Sequence, residues 1–265
     1  MKKRNIRTDF EVTELRPGIY RINEFDVANC YLITGKKRAL LIDTGAGIGN
    51  IGAVVRGITS LPVDVAATHG HPDHLGGKNW FTHYYVHPDD EKMSRKISTA
   101  LRAGLLLFQR PARKKYGVGL HDLAKGSYHV ESRPMEEDHR FKLGDRTVEV
   151  YHTPGHTRGS VIFKLVEDRI VFSGDDVNPF LFLFLPGSTT VRDWIPGAEQ
   201  ILSLSEGCDN YCGHGADPIP PEQIRAQIRL ARELVRRGNR FPLPLRIAKC
   251  ADVNACILYR PAHVK

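Results

Sequence analysis

The chain has no long hydrophobic run. Its greasiest stretch, Phe180–Leu185, is six residues, far short of the roughly 18 needed to cross a bilayer. No membrane span and no membrane partner are therefore expected. The N-terminal MKKRNIRTDF carries charge but no apolar segment behind it, so it does not read as a secretory leader. A cytoplasmic location is the expectation. Cysteine is scarce and odd in number: Cys30, Cys208, Cys212, Cys250 and Cys256. That argues against a disulfide framework, and Cys208-x-x-x-Cys212 lacks the second pair of a metal knuckle. No repeat of solenoid period is visible. With 41% apolar and 26% charged residues, the composition is ordinary for a globular protein and excludes whole-chain disorder, collagen and coiled coil.

A length of 265 residues allows one or two domains. We read a single α/β domain over 1–265 with a helical insertion or cap at about 89–125. Strand-like and helix-like segments alternate. Ala39–Asp43 is an apolar run ending in a carboxylate, and the glycine-rich Thr44–Asn50 follows it. Ile51–Ile58 is amphipathic, and Leu61-Pro62 closes it. Val63–Thr68 and His83–His87 read as strands, with His69–Leu75 a polar loop between them. From Asp89 the pattern turns helical, with Met93, Ile97, Leu101, Leu105 and Phe108 at spacings of three or four, until Pro111 breaks it. Hairpins are predicted at Gly144-Asp145 and Val166–Asp168, helices at Val191–Leu204 and Pro221–Arg237, and weak strands at Pro242–Arg246 and Cys256–Tyr259. Lys and Arg exceed Asp and Glu by 38 to 30, a net charge of +8, with clusters at Met1–Arg7, Arg110–Lys115 and Arg225–Arg240. Such a balance suits anionic partners in general. A solvated basic surface is favoured over a nucleic-acid footprint.

The chemistry is concentrated in Thr68-His69-Gly70-His71-Pro72-Asp73-His74, just after a buried strand. Imidazole and carboxylate are the usual ligands of zinc and similar ions. In extended chain His69 and His71 project from one side and can reach one ion. Asp73 and His74 follow the turn and can reach a second. Gly70 and Pro72 let the backbone turn sharply enough for these donors to converge.

His69-x-His71-x-Asp73-His74 resembles the signature of the metallo-β-lactamase superfamily. Further segments match that pattern in order: Leu41-Ile42-Asp43-Thr44-Gly45, Thr153-Pro154-Gly155-His156, Phe172-Ser173-Gly174-Asp175 and Gly213-His214-Gly215. The resemblance implies a four-layer αββα sandwich, two mixed sheets with helices outside. It also implies a first ion held by His69, His71 and His156, a second held by Asp73, His74 and His214, and Asp175 bridging both. Two divalent ions are expected, zinc foremost, with iron and manganese fitting the same donors. The zinc β-lactamases as a class lack an aspartate at the bridging position. Asp175 therefore resembles the glyoxalase II, lactonase and phosphodiesterase branches.

The implied mechanism uses a metal-bridging hydroxide, since water on such ions ionises near neutral pH. The expected reaction is cleavage of a small carboxylic ester, thioester or lactone, with Asp73 as the catalytic carboxylate that orients or accepts the proton of the nucleophile. The alternative is a phosphodiesterase or nuclease, which the basic clusters would serve. Asp43 is expected to accept the remaining ring N–H of a ligand histidine. The apolar Asn178–Gly187 would line the site for an acyl group, with the helical insertion opposite. Tyr116, Tyr151 and Tyr211 are candidate hydroxyl donors. The partner is a small-molecule substrate; the sequence leaves the oligomeric state open.

Overall fold

The computed structural model describes residues 6–124, 130–136, 138–238 and 245–265. His129, residue 125 at the end of the insertion, the first five residues of the 1–7 cluster, 239–240 of the 225–240 cluster and 242–244 of the weak strand lie outside the described residues. The chain divides into two compact units, Met1–Met135 with Phe141–Thr147, and Glu136–Arg140 with Val148–Lys265.

The first unit is built on a sheet of seven strands in sequential order: β1 (Glu11–Arg16), β2 (Ile19–Glu24), β3 (Ala28–Thr34), β4 (Ala39–Ile42), β5 (Val63–Ala66), β6 (His83–Val86) and β7 (Glu131–Pro134). The first four form an antiparallel meander. From β4 onward neighbours are parallel, because each connection crosses over through helix. β4, the sequence ALLI, is buried throughout, as expected of a central strand covered on both faces. Helix α1 (Ile51–Ile58) begins where Asn50 accepts the Ala53 N–H, a stabilising N-cap. One helical turn, α2 (Pro72–Leu75), stands where a loop was expected; Pro72 opens it with φ already helical and no N–H to leave unmade. The insertion is three helices, α3 (Pro88–Arg95), α4 (Thr99–Phe108) and α5 (Arg110–Tyr116). The pattern does break just ahead of Pro111: α4 stops at Phe108, and Pro111 stands in the first turn of α5. A second, unexpected break precedes it, where Ser98 caps α4 by accepting the Leu101 N–H.

In the second unit, β8 (Arg140–Lys142) lies at the boundary, followed by β9 (Thr147–His152), β10 (Val161–Leu165), β11 (Ile170–Gly174), β12 (Phe180–Leu183), α6 (Val191–Leu204), β13 (Asp209–Cys212), α7 (Pro221–Arg237), β14 (Arg246–Lys249) and β15 (Cys256–Tyr259). One sheet runs β13-β11-β10-β9 and a smaller one β12-β15-β14. Helices α6 and α7 bury Trp194, Ala198, Ile201, Ile224, Ile228 and Ala231 in a core with Leu181, Leu183 and Ile257. Their helical spacing is what made both helices readable from the sequence.

Candidate functional site

The donors of the first unit are set by the ends of β4 and β5. Directly after β4, Asp43 takes φ 62°, a left-handed conformation that Asp tolerates better than most side chains. Its Oδ1 accepts the Thr68 N–H and its Oδ2 the Thr68 Oγ1–H, each at 2.8 Å. Oδ2 also accepts the His74 Nδ1–H at 2.8 Å. With its proton directed to Asp43, Thr68 Oγ1 accepts from His69 Nδ1 at 3.0 Å. The network thus assigns the Nδ1–H tautomer to both rings and leaves a lone pair on each Nε2. His69 Nε2 lies 3.1 Å from His71 Nδ1. Two nitrogens on one tetrahedral ion, with bonds near 2.05 Å, stand about 3.3 Å apart. Asp73 Oδ2 and His74 Nε2 form a second pair at 3.9 Å.

The insertion braces this segment. Asp90 of α3 accepts the N–H of Gly70, the residue between the first two histidines, at 2.7 Å. Arg102 of α4 is 0% exposed and donates to the carbonyls of Gly76 (3.2 Å) and Ala124 (2.7 Å). Lys78, also buried, donates to the Ser94 carbonyl at the end of α3 and lies 4.8 Å over the Tyr84 ring. Burial, together with the positive charges of Arg102 and Arg95, pushes its pKa down to about 8. On the other side of the Thr44–Asn50 loop, Glu24 accepts the N–H groups of Ala46 (2.5 Å) and Ile48 (2.7 Å). Burial pushes its carboxyl up to about 8, against those bonds and the charge of Arg102. Asp90, Arg102, Lys78, Glu24 and Thr68 were not picked out from the sequence. Only Thr68 carried a signal, its place beside the motif.

In the second unit, Asp176 organises the turn after β9. It accepts the Thr153 Oγ1–H and the His156 N–H, both at 2.8 Å. Burial pushes its pKa up to about 8, while those two bonds favour the ionised form. His156 donates Nδ1–H to the Phe182 carbonyl in β12 at 2.8 Å, which again leaves a lone pair on Nε2. Asp175 Oδ2 lies 3.8 Å from His156 Nε2 and 3.2 Å from His214 Nε2. One carboxylate oxygen thus stands between two imidazoles. Along β12, Leu181 and Leu183 are buried, while Phe180 is 62% exposed. Phe182 and Phe184 are half-buried, with ring centroids 5.5 Å apart. Two tyrosine hydroxyls have other partners: Tyr151 donates to Glu149 at 2.6 Å and Tyr116 to Asp26 at 2.9 Å.

Histidines that ligate metals almost always donate their other ring N–H to a carboxylate, carbonyl or hydroxyl-bearing partner. His74, His69 and His156 each do so, to Asp43, Thr68 and Phe182. A donor set of imidazole and carboxylate without thiolate suits divalent first-row ions and does not select among them. A family model described as the metallo-beta-lactamase superfamily matches residues 23–201. The chain belongs to that superfamily. Its mixed α/β fold is the metallo-beta-lactamase fold, and it is a metal-dependent hydrolase. Among known members it is similar to the acyl-coenzyme A thioesterase MBLAC2 of Gallus gallus, 31% identical over 193 residues, 67% of this chain and 67% of that one. It is similar to the atrochrysone carboxyl ACP thioesterase of Aspergillus fumigatus, 28% identical over 195 residues, 71% of this chain but 37% of the fungal protein. Among solved structures it resembles TTHA1623 in a di-iron-bound form, at TM-score 0.55 and 25% identity, covering 76% of this chain and 93% of that one. Among the described residues, no helix is long and apolar enough to cross a membrane.

Proposed function

We propose that this superfamily member hydrolyses acyl thioesters, with carboxylic esters as poorer substrates, at a two-ion centre. His69, His71 and His156 would hold one ion, Asp73, His74 and His214 the other, and Asp175 both. The reading rests on the family pattern and on the pairing of donors within each unit. Zinc is the metal we favour, and five free thiols suit a reducing, cytoplasmic setting. When bound, two such ions lower the pKa of water toward about 7 and polarise a carbonyl oxygen.

The chain's own residues would then do the following. Asp43 and Thr68 fix the tautomers of His74 and His69, and the Phe182 carbonyl fixes that of His156. Asp73 orients the attacking water and takes its proton. Phe182 and Phe184 offer the acyl group an apolar surface beside His156. Water adds to the thioester carbonyl, the carbon–sulfur bond breaks, and the thiol leaves with a proton.

The observation that carries the acyl preference is this aromatic pair, Phe182 on the strand whose carbonyl holds His156 and Phe184 just past its end. The thioesterase names of two relatives support the thioester. The test is a paired initial-rate assay of the zinc-loaded protein on acyl thioesters of rising chain length and on bis(p-nitrophenyl) phosphate. We expect turnover of thioesters, with kcat/KM rising by up to about fourfold per buried methylene, and its loss in Asp175→Ala. Turnover confined to the phosphodiester would overturn the reading in favour of the basic clusters as a substrate surface.

A further inference from the structure

The net charge of +8 has one address. Residues 92–121 hold eight Lys and Arg and no Asp or Glu, so the remaining 30 Lys and Arg equal the 30 Asp and Glu of the chain. This segment runs from the second half of α3 to just beyond α5; the first turn of α3, ahead of it, carries Asp89, Asp90 and Glu91. The middle helix of the insertion is also inverted relative to an ordinary surface helix. The single charged residue of α4, Arg102, is fully buried, whereas Phe108 is 87% exposed, Leu101 49% and Leu107 48%. Leu101 and Phe108 lie seven positions apart on one side of the helix, with the half-buried Leu105, which also packs on the core, between them. Leu120, 50% exposed, lies just beyond α5. Among the described residues, Lys115 is the one cation of α5 that meets a carboxylate, Asp26 at 2.7 Å; Arg110 and Lys114 are exposed.

We infer that the outer face of α4 and α5 docks on the surface of an anionic lipid bilayer, with Phe108 and the leucines entering the headgroup boundary and the α5 cations meeting the lipid phosphates. The expectation of no membrane partner rested on the lack of a spanning segment, which does not bear on contact with a bilayer surface. An interfacial helix needs no spanning length; it needs an apolar face flanked by Lys and Arg. A second copy of the chain suits this face poorly, because two such faces would oppose like charges. Nucleic acid would use the cations but leaves the leucines without a role. The inference stands on this surface alone and does not depend on the thioesterase reading.

The test is co-sedimentation of the full chain with vesicles of phosphatidylcholine alone and of phosphatidylcholine mixed with phosphatidylserine. The wild type should bind the mixed vesicles, bind the neutral ones weakly, and be released as salt rises. Phe108→Asp and the double variant Arg110→Glu, Lys114→Glu should each weaken binding about tenfold or more. Because these side chains are exposed, an unchanged thermal unfolding midpoint would confirm that both variants fold. The inference is overturned if the wild type does not sediment with mixed vesicles, or if Phe108→Asp binds them as the wild type does. It is equally overturned if a single-stranded DNA oligonucleotide binds while mixed vesicles do not, or if Phe108→Asp only dissolves a dimer.

Discussion

Asp43 gathers three hydrogen bonds on one carboxylate, from the Thr68 amide, the Thr68 hydroxyl and His74 Nδ1. Asparagine accepts the same left-handed backbone but replaces one acceptor oxygen with a donor. We therefore expect Asp43→Asn to lower metal affinity about 10–100-fold, measured by competition with a chelator. Unchanged affinity would mean that His74 is oriented without it. Lys78 gives a residue-scale prediction of the opposite kind. Its pKa is about 8 in the fold, against 10.5 for a solvated lysine. Between those values the unfolded chain holds a proton that the folded chain has released, so stability rises as pH climbs through that window. Below it, the buried ammonium costs the fold about 3 kcal/mol. A urea unfolding series across that window should show the rise in wild type and none in Lys78→Met. Parallel curves for the two proteins would discard this account.

At the scale of elements, the insertion supports the donor segment from within the first unit. Arg102 of α4 reaches the carbonyls at the end of α2 and at Ala124, and its charge opposes the buried Glu24. Arg102→Met should cost about 1–3 kcal/mol in urea unfolding, because it leaves the buried carbonyls of Gly76 and Ala124 without their donor. The exposed Phe108→Asp on the same helix should stay within about 0.5 kcal/mol. A small cost for Arg102→Met would show that these carbonyls find other donors. This bracing was not legible in the sequence. Arg102 and Asp90 pair with backbone groups about 20 or more positions away, and no local pattern announces such a partner. The helices α1, α6 and α7 were legible because their apolar periodicity is complete over two or more turns. β1 and β7 were not, since EVTELR and ESRP are polar edge strands with no fully buried side. The donor motif was legible because its four residues lie within six positions. Of His156, Asp175 and His214, isolated single residues, only the family resemblance gave notice.

For the molecule as a whole, ions that bind only the folded chain stabilise it by about 2.7 kcal/mol when free metal stands at 100 times its dissociation constant. Dialysis against a chelator should lower the unfolding midpoint and abolish turnover, and restored zinc should recover both. A midpoint indifferent to the chelator would argue that the donors do not hold a tightly bound ion. The two units also differ in how their donors are kept in place. In the first, His69 and His74 answer to the side chains of Thr68 and Asp43; in the second, the ring of His156 answers to the peptide carbonyl of Phe182. A side chain can be lost by a single codon change, whereas a peptide carbonyl is present whatever residue carries it. Mutational drift therefore threatens the two rings' orientation unequally: the first unit must keep particular letters at positions 43 and 68, while the ring of His156 needs a strand in register, with Asp176 holding only the backbone of its turn.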